Sequence, residues 1–289
     1  MLKIVEKKKI WFTISILIIV IGFGFMFTKG MNFGIDFRGG TQVVINMGTE
    51  FNKTDVDKIV DEYSKDAVTN QVNGTELQIK AKELNSSQVN DIFKALKEKY
   101  DLKDDALVSQ NEIGASVGRD LTTNAIVALV IAVIGMLIYV VIRFEFSYGI
   151  SAIIALLHDV LITISVYAVL GITINTPFIA AILTIVGYSI NDTIVIFDRI
   201  RENRKKLRGK SVEEIADISI TQTMSRSINT TLTTLITIVC VYIFVPTVRD
   251  FAFPLIVGIA SGACSSIFIA SPIWCIITNR QKNKKARNK

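Results

Sequence analysis

Two carboxylates, Asp159 and Asp192, lie inside stretches of this 289-residue chain that are otherwise apolar. A charged side chain at the centre of a membrane helix costs about 2.5–3.5 kcal/mol on insertion scales, so each acid needs a reason to be there. Asp159 lies nine residues from Ile150, and Asp192 six residues before Asp198. At about 1.5 Å per residue these are depths of roughly 13 and 9 Å, which puts both acids at a similar level if their helices are neighbours. Polar residues recur around them at helical spacing. Asp159, Thr163 and Tyr167 follow i, i+4, i+8; Thr184, Gly187, Tyr188, Asn191 and Asp192 share one side of a helix; Arg226, Asn229, Thr230, Thr233 and Thr237 share one side of another. Such stripes face a protein interior or water, because lipid leaves them unpaired. A carboxylate near water and near an arginine takes up or releases a proton as the arginine approaches or withdraws. One proton moving down the membrane potential yields about 2.3 kcal/mol per 100 mV. Asp192, with Asn191 beside it, is therefore the candidate proton carrier and Arg226 its candidate modulator, against the plainer readings of Asp192 as a hydrogen-bonding group that packs two helices and of Arg226 as a snorkelling anchor. Asp159 fits a relay or helix packing equally well, and both readings stay open. His158, the only histidine, is expected to point about 100° away from Asp159 around the helix.

These residues need membrane helices to position them. Half of the chain is hydrophobic and the mean hydropathy is +0.45, unusual for a water-soluble protein of this length. A span needs about 20 mostly apolar residues. Six stretches qualify: Ile10–Thr28, Asn124–Ile142, Gly149–Leu170, Pro177–Phe197, Ile228–Val245 and Phe253–Ile277. The first is too long for the apolar region of a signal peptide and is followed by Phe25-Met26-Phe27 instead of a small-residue cleavage site, so it is expected to stay as an anchor. The net charge of +6 invites a nucleic-acid reading, but outside the long segment between the first two spans the basic residues cluster in three places: Lys3 to Lys9, Arg199 to Arg226, and Arg280 to Lys289. Alternating spans bring all three to one face, where the opposite short loops hold only Arg249. The positive-inside rule then makes both termini cytoplasmic, and anionic lipid headgroups are the next use for the charge. Gly258-x-x-x-Gly262 in the last span, followed by Ser265 and Ser266, offers a small face for close helix packing.

The expected organisation is a cytoplasmic start and first span over 1–29, an outer domain over 30–123, a five-helix bundle over 124–277 with a cytoplasmic loop at 198–226, and a basic tail over 278–289. Acidic residues outnumber basic ones in the outer segment. Its pattern predicts an extended Phe33–Met47, a helix over Lys53–Asp66 capped at Thr54-Asp55, a hairpin of Ala67–Val72 and Glu76–Lys80 around Asn73-Gly74, a helix over Ser86–Lys99 and a last strand over Ala106–Ile113. The order βαββαβ is that of a ferredoxin-like α+β unit. With no histidine there, an active site is not expected. Cys240, Cys264 and Cys275 are odd in number and lack a CxxC pattern, so neither a disulfide framework nor a metal site is implied.

Several motifs carry a family likeness. FGIDFRGGT over Phe33–Thr41 resembles the segment that follows the first span in the SecD/SecF family, with Gly34, Asp36, Gly39 and Gly40 as its marked positions. VGYSINDTIVIFDRIREN over Val186–Asn203 and TMSRSINTTLTT over Thr223–Thr234 resemble the SecF-side signatures of the fourth and fifth spans; Arg143-Phe144-Glu145 and His158-Asp159 also fit. The resemblance implies a bacterial inner-membrane protein of the resistance–nodulation–division superfamily: a non-enzymatic subunit with no cofactor, coupled to protons. It implies pairing with a separate six-span SecD into a pseudo-symmetric twelve-helix unit. That unit associates with the SecYEG channel and in some bacteria with YajC. It acts after the ATP-driven SecA step, the outer domains moving unfolded preprotein outward as protons flow inward. By motif, Asp192 and Arg226 correspond to charged residues of proton transport, the arginine pairing with an aspartate of SecD. The glycines of the outer motif permit tight or close backbone approach. Three other readings compete. An intramembrane aspartyl protease needs a Gly-x-Gly-Asp motif, but Asp192 follows Ser189-Ile190-Asn191. A proton-coupled small-molecule exporter usually has larger outer domains. A passive scaffold of the channel would not need Asp192.

Overall fold

The computed structural model describes residues 3–72, 74–82 and 84–287 and divides into two compact units, Met1–Asn32 with Ile126–Lys289, and Phe33–Ala125. In chain order the elements are α1 (Lys8–Lys29), α2 (Ile35–Arg38), β1 (Gly40–Asn46), α3 (Lys53–Tyr63), β2 (Val68–Val72), β3 (Glu76–Ala81), α4 (Ser86–Tyr100), β4 (Leu107–Ile113), α5 (Ala115–Arg143), α6 (Phe146–Leu170), α7 (Thr176–Lys206), α8 (Val212–Phe244), α9 (Arg249–Ser265), a π-helical turn at Ser266–Ala270, and α10 (Ser271–Arg287).

Among the described residues, six helices are long and apolar enough to cross a membrane, the last being the continuous run from α9 through α10. Their ends follow local chemistry. α6 stops where Gly171 adopts φ 66°, and α7 starts where the Asn175 side chain accepts from Phe178 N with Pro177 in the first turn. Ser211 and Glu214 form a reciprocal capping box at the start of α8. The loop expected over 198–226 is a correction: both helices run far past their apolar stretches, and only residues 207–211 separate them. Their polar ends pair side by side, Asn203 Nδ2 donating to Ser219 Oγ at 2.8 Å and Arg199 Nε to Gln222 Oε1 at 2.8 Å. Ordered helix there is held by these bonds and by charged residues that form helices well.

The core of this unit collects at its basic end, where Tyr148 stacks on Trp274 with centroids 5.1 Å apart and meets Phe197 edge-on at 5.0 Å. Asp217 Oδ1 accepts the backbone N–H groups of Ile4 and Val5, each at 3.0 Å, and so fastens the turn that precedes α1 to α8. Gly22 sets the approach of α1 to α6, because a Cβ there would collide with the Ser165 side chain.

The smaller unit is a four-stranded antiparallel sheet in the order β2-β3-β1-β4, the arrangement of a ferredoxin-like βαββαβ unit. Val43, Ile45, Leu77 and Ile79 face Val56, Val60, Ile92 and Leu96 of the two helices in one buried core. Two local expectations are corrected. The segment expected to be extended from Phe33 first makes the short helix α2, and β1 begins only at Gly40. The cap of α3 is Asn52, whose side chain accepts from Thr54 N, because the short Asx side chain placed just before the helix reaches that amide. Of the expected Asn73-Gly74 turn, Asn73 lies outside the described residues. Asp57 of α3 accepts from Lys53 Nζ at 2.9 Å and from Thr69 of β2. Partial burial works against its ionisation, yet these bonds and the lysine charge outweigh it and hold the carboxyl below the usual carboxylate range.

Candidate functional site

Asp159 of α6 is fully buried. Its Oδ2 accepts from Ser189 Oγ of α7 at 2.6 Å and Ser265 Oγ of α9 at 2.8 Å; its Oδ1 accepts from Ser261 Oγ of α9 at 2.7 Å and lies 3.0 Å from His158 Nδ1. One carboxylate thus ties three helices together. The small residues of α9 permit this. A Cβ on Gly258 would run into the Ile185 side chain, and one on Gly262 would fall 3.0 Å from Ser189 Cβ, so both glycines sit where α9 presses on α7. The expected 100° separation of His158 is corrected: its ring folds back along the helix surface and touches the neighbouring acid.

Asp192 is arranged differently. Its Oδ1 accepts from Ser227 Oγ of α8 at 2.6 Å, while its Oδ2 is buried and has no partner among the described residues. That oxygen can take a proton without breaking any bond. Ser189, which holds Asp159, precedes Asp192 by three residues, so Asp192 lies about 4.5 Å nearer the basic end. Its neighbour Thr193 meets Ser266 of the π turn at 2.7 Å. Asn191 is exposed.

Arg226, next to Ser227 on α8, is exposed, and its guanidinium forms no hydrogen bond or ion pair among the described residues. The three polar stripes separate into two kinds. Asp159, Thr163 and Tyr167 face the interior. Thr184 and Asn191 of α7, and Arg226, Asn229, Thr230, Thr233 and Thr237 of α8, lie on the open surface of this chain. The α8 threonines satisfy their hydroxyls by donating one turn back, as Thr230 does to Arg226 O at 2.8 Å and Thr237 to Thr233 O at 3.0 Å. Tyr188 OH bridges the two helices by bonding Thr234 Oγ1 at 2.9 Å.

Sequence reading missed the serine ring of Asp159 and the role of Ser227. Ser261 and Ser265 repeat the four-residue spacing of Gly258 and Gly262 three positions on, and that doubled small-residue pattern was the available signal. In the outer motif, Gly39 at φ 74° and Gly40 at φ 128° need glycine, and a Cβ on Gly40 would fall 2.5 Å from Ala81 O. Gly34 has φ −69° and makes no such demand; Asp36 lies in the first turn of α2. Among the described residues no group of three His, Cys, Asp or Glu side chains is placed to hold a metal, and the three cysteines are unbridged.

Comparison with known proteins gives one consistent result. Residues 92–280 match the family model of the protein export membrane protein SecD/SecF C-terminal region, and residues 24–49 match the SecD/SecF GG motif. The chain is 37% identical to the protein translocase subunit SecF of Petrotoga mobilis, over 98% of both chains. It is 39% identical to that of Sebaldella termitidis, over 98% of this chain and 94% of the other. The crystal structure of SecDF, a translocon-associated membrane protein from Thermus thermophilus, superposes with a TM-score of 0.88 at 33% identity. That match covers 96% of this chain and 39% of the longer one.

Proposed function

Since this chain belongs to the SecD/SecF family of protein-export membrane proteins, as a multi-pass translocase subunit, we propose that it works with SecD to turn inward proton flow into late, SecA-independent movement of preprotein through SecYEG. Asp192 carries the proton, and Arg226 sets when it is held. Both termini are cytoplasmic, in the inner membrane. The observation that carries this reading is the buried Asp192 Oδ2, without a partner among the described residues, at the edge of a polar helix face. An exposed arginine, asparagines and threonines in a span need a polar partner surface, because lipid supplies none. The SecDF of Bacillus subtilis is 34% identical, and this chain spans 38% of its length. Such longer relatives support SecD as the chain that covers the polar face. Asp159, which accepts three serine hydroxyls from α7 and α9, is assigned to holding α6, α7 and α9 in register.

The test is reconstitution with SecD and the channel in proteoliposomes, measuring proton entry with a pH-sensitive dye and preprotein export together. Asp192→Asn and Arg226→Lys are expected to abolish both activities. Full retention of both in each variant removes the proton assignment and leaves a scaffold.

A further inference from the structure

A groove of about 360 Å³ opens between α1, α6 and α9, away from the polar face of α7 and α8. Its walls are mostly apolar, with Ile14 and Ile18 from α1, Ile162 from α6, and Val257, Cys264 and Phe268 from the last span. Ile14, Ile18 and Cys264 are also exposed, so this side of the bundle is open to whatever surrounds it.

The residues along α1 are ordered by depth. Trp11, Ile14, Ser15 and Ile18 line the groove, and they follow the i, i+3, i+4, i+7 spacing of one helix face. Lys8, the first residue of α1, stands one turn before Trp11 on this side of the helix, and Lys7 precedes it as the N-cap residue. Neither lysine forms an ion pair among the described residues, whereas nearby Lys3 is paired with Glu6 at 3.2 Å. The turn that presents them is fixed by the bonds from Ile4 and Val5 to Asp217. About 4.5 Å deeper than Lys8 along the helix, the indole Nε1 of Trp11 is buried with no partner among the described residues. Trp11 itself lies against Phe268 with centroids 4.1 Å apart. Beyond that level the α1 lining is Ile14, Ser15 and Ile18, apolar but for one serine.

Cation, then hydrocarbon, is the order of phosphate and acyl chain in a phospholipid lying in a bilayer leaflet. We propose that the groove is a site for an anionic phospholipid of the surrounding membrane, its phosphate on Lys7 and Lys8 and one acyl chain between α1, α6 and α9. The charge complementarity of the two unpaired lysines selects the anionic headgroup over a zwitterionic one. At the inner wall the chain covers His158, whose Nε2 also lacks a partner among the described residues and whose Nδ1 touches Asp159. The lipid thereby keeps water from the buried acid that joins three helices.

The full chain supplies its own probe, because Trp274, the second tryptophan, is fully buried in the aromatic stack. In phosphatidylcholine nanodiscs, phosphatidylglycerol with brominated acyl chains is titrated in and tryptophan fluorescence is read. Brominated phosphatidylglycerol is expected to quench at a lower mole fraction than brominated phosphatidylcholine. The midpoint should rise about five-fold for each lysine removed in Lys7→Gln and Lys8→Gln, while Lys282→Gln leaves it unchanged. Ala260→Phe, which fills the groove, should abolish the preference. The lysine variants lie at the surface, so they keep the test valid should the phenylalanine variant misfold. Equal quenching by both lipids, or a midpoint indifferent to Lys7 and Lys8, overturns the proposal. So does cross-linking of Cys264 to a partner chain in the assembled complex, which would give the groove to a protein helix.

Discussion

Ser227 of α8 donates its hydroxyl hydrogen to Asp192 Oδ1 of α7 over 2.6 Å, and nothing else among the described residues bonds that carboxylate. Asp159, by contrast, receives hydroxyls from Ser189, Ser261 and Ser265 in addition to His158. The same substitution should therefore cost the two sites different amounts. Asp159→Asn replaces an acceptor with an amide that turns N–H groups toward donors, leaving buried hydroxyls unsatisfied; a loss of about 3 kcal/mol in stability is expected. Asp192→Asn gives up one bond and should cost under about 1 kcal/mol. Unfolding of both variants in mild detergent measures this, and equal losses would contradict the division of roles.

Gly258→Ala forces a methyl group into the Ile185 side chain, which already occupies the space a Cβ would need. Overpacking of this kind typically costs about 1–3 kcal/mol. Adding Ile185→Ala should recover much of it, because the clash is with the side chain alone. A double variant no more stable than the single one would mean that the glycine serves something other than the α7–α9 approach.

In the smaller unit, Gly40→Ala meets both a φ of 128° and the Ala81 carbonyl oxygen at 2.5 Å, at the first residue of β1. Faster amide hydrogen exchange along β1 and β3 is expected. Gly34→Ala, at φ −69°, should leave exchange unchanged. Similar exchange in the two variants would show that the backbone geometry at Gly40 does not control the pairing.

Asp57 supplies a pH dependence. Its carboxyl is held below the usual range in the fold by Lys53 and Thr69, despite the opposing effect of burial. A depressed folded pKa contributes stability above the unfolded value of about 3.9, and that contribution is lost as pH falls through the folded pKa. Melting of the smaller unit should accordingly drop progressively below about pH 4, and Asp57→Asn should flatten that limb. Parallel curves for wild type and variant would count against it.

The spans were legible because each is a long apolar run, and the βαββαβ order because Val43 and Ile45, or Val89, Ile92 and Leu96, repeat at strand and helix periods. The polar extensions of α7 and α8 were not, since Asn203–Ser219 and Arg199–Gln222 pair only once the two helices lie side by side. The acids stood out as charges in apolar sequence. Their partners did not, because a serine in a membrane helix reads as a small packing residue until Ser189, Ser261 and Ser265 converge from two helices on one carboxylate. The turn at Ile35–Arg38 was hidden by a segment whose glycines suit an extended chain as well as a tight bend.

The wide turn at Ser266–Ala270 holds one residue more than an α-helical path of the same length. It acts as a phase shift of about 100° between the two halves of the last span. The half that presents Gly258 and Gly262 to α7 and the half that seats Trp274 against Tyr148 are thus aimed independently. Deleting a single residue within that turn would restore a uniform helix and swing the indole out of its stack, uncoupling the basic end of the bundle from the serine-ringed acid above it.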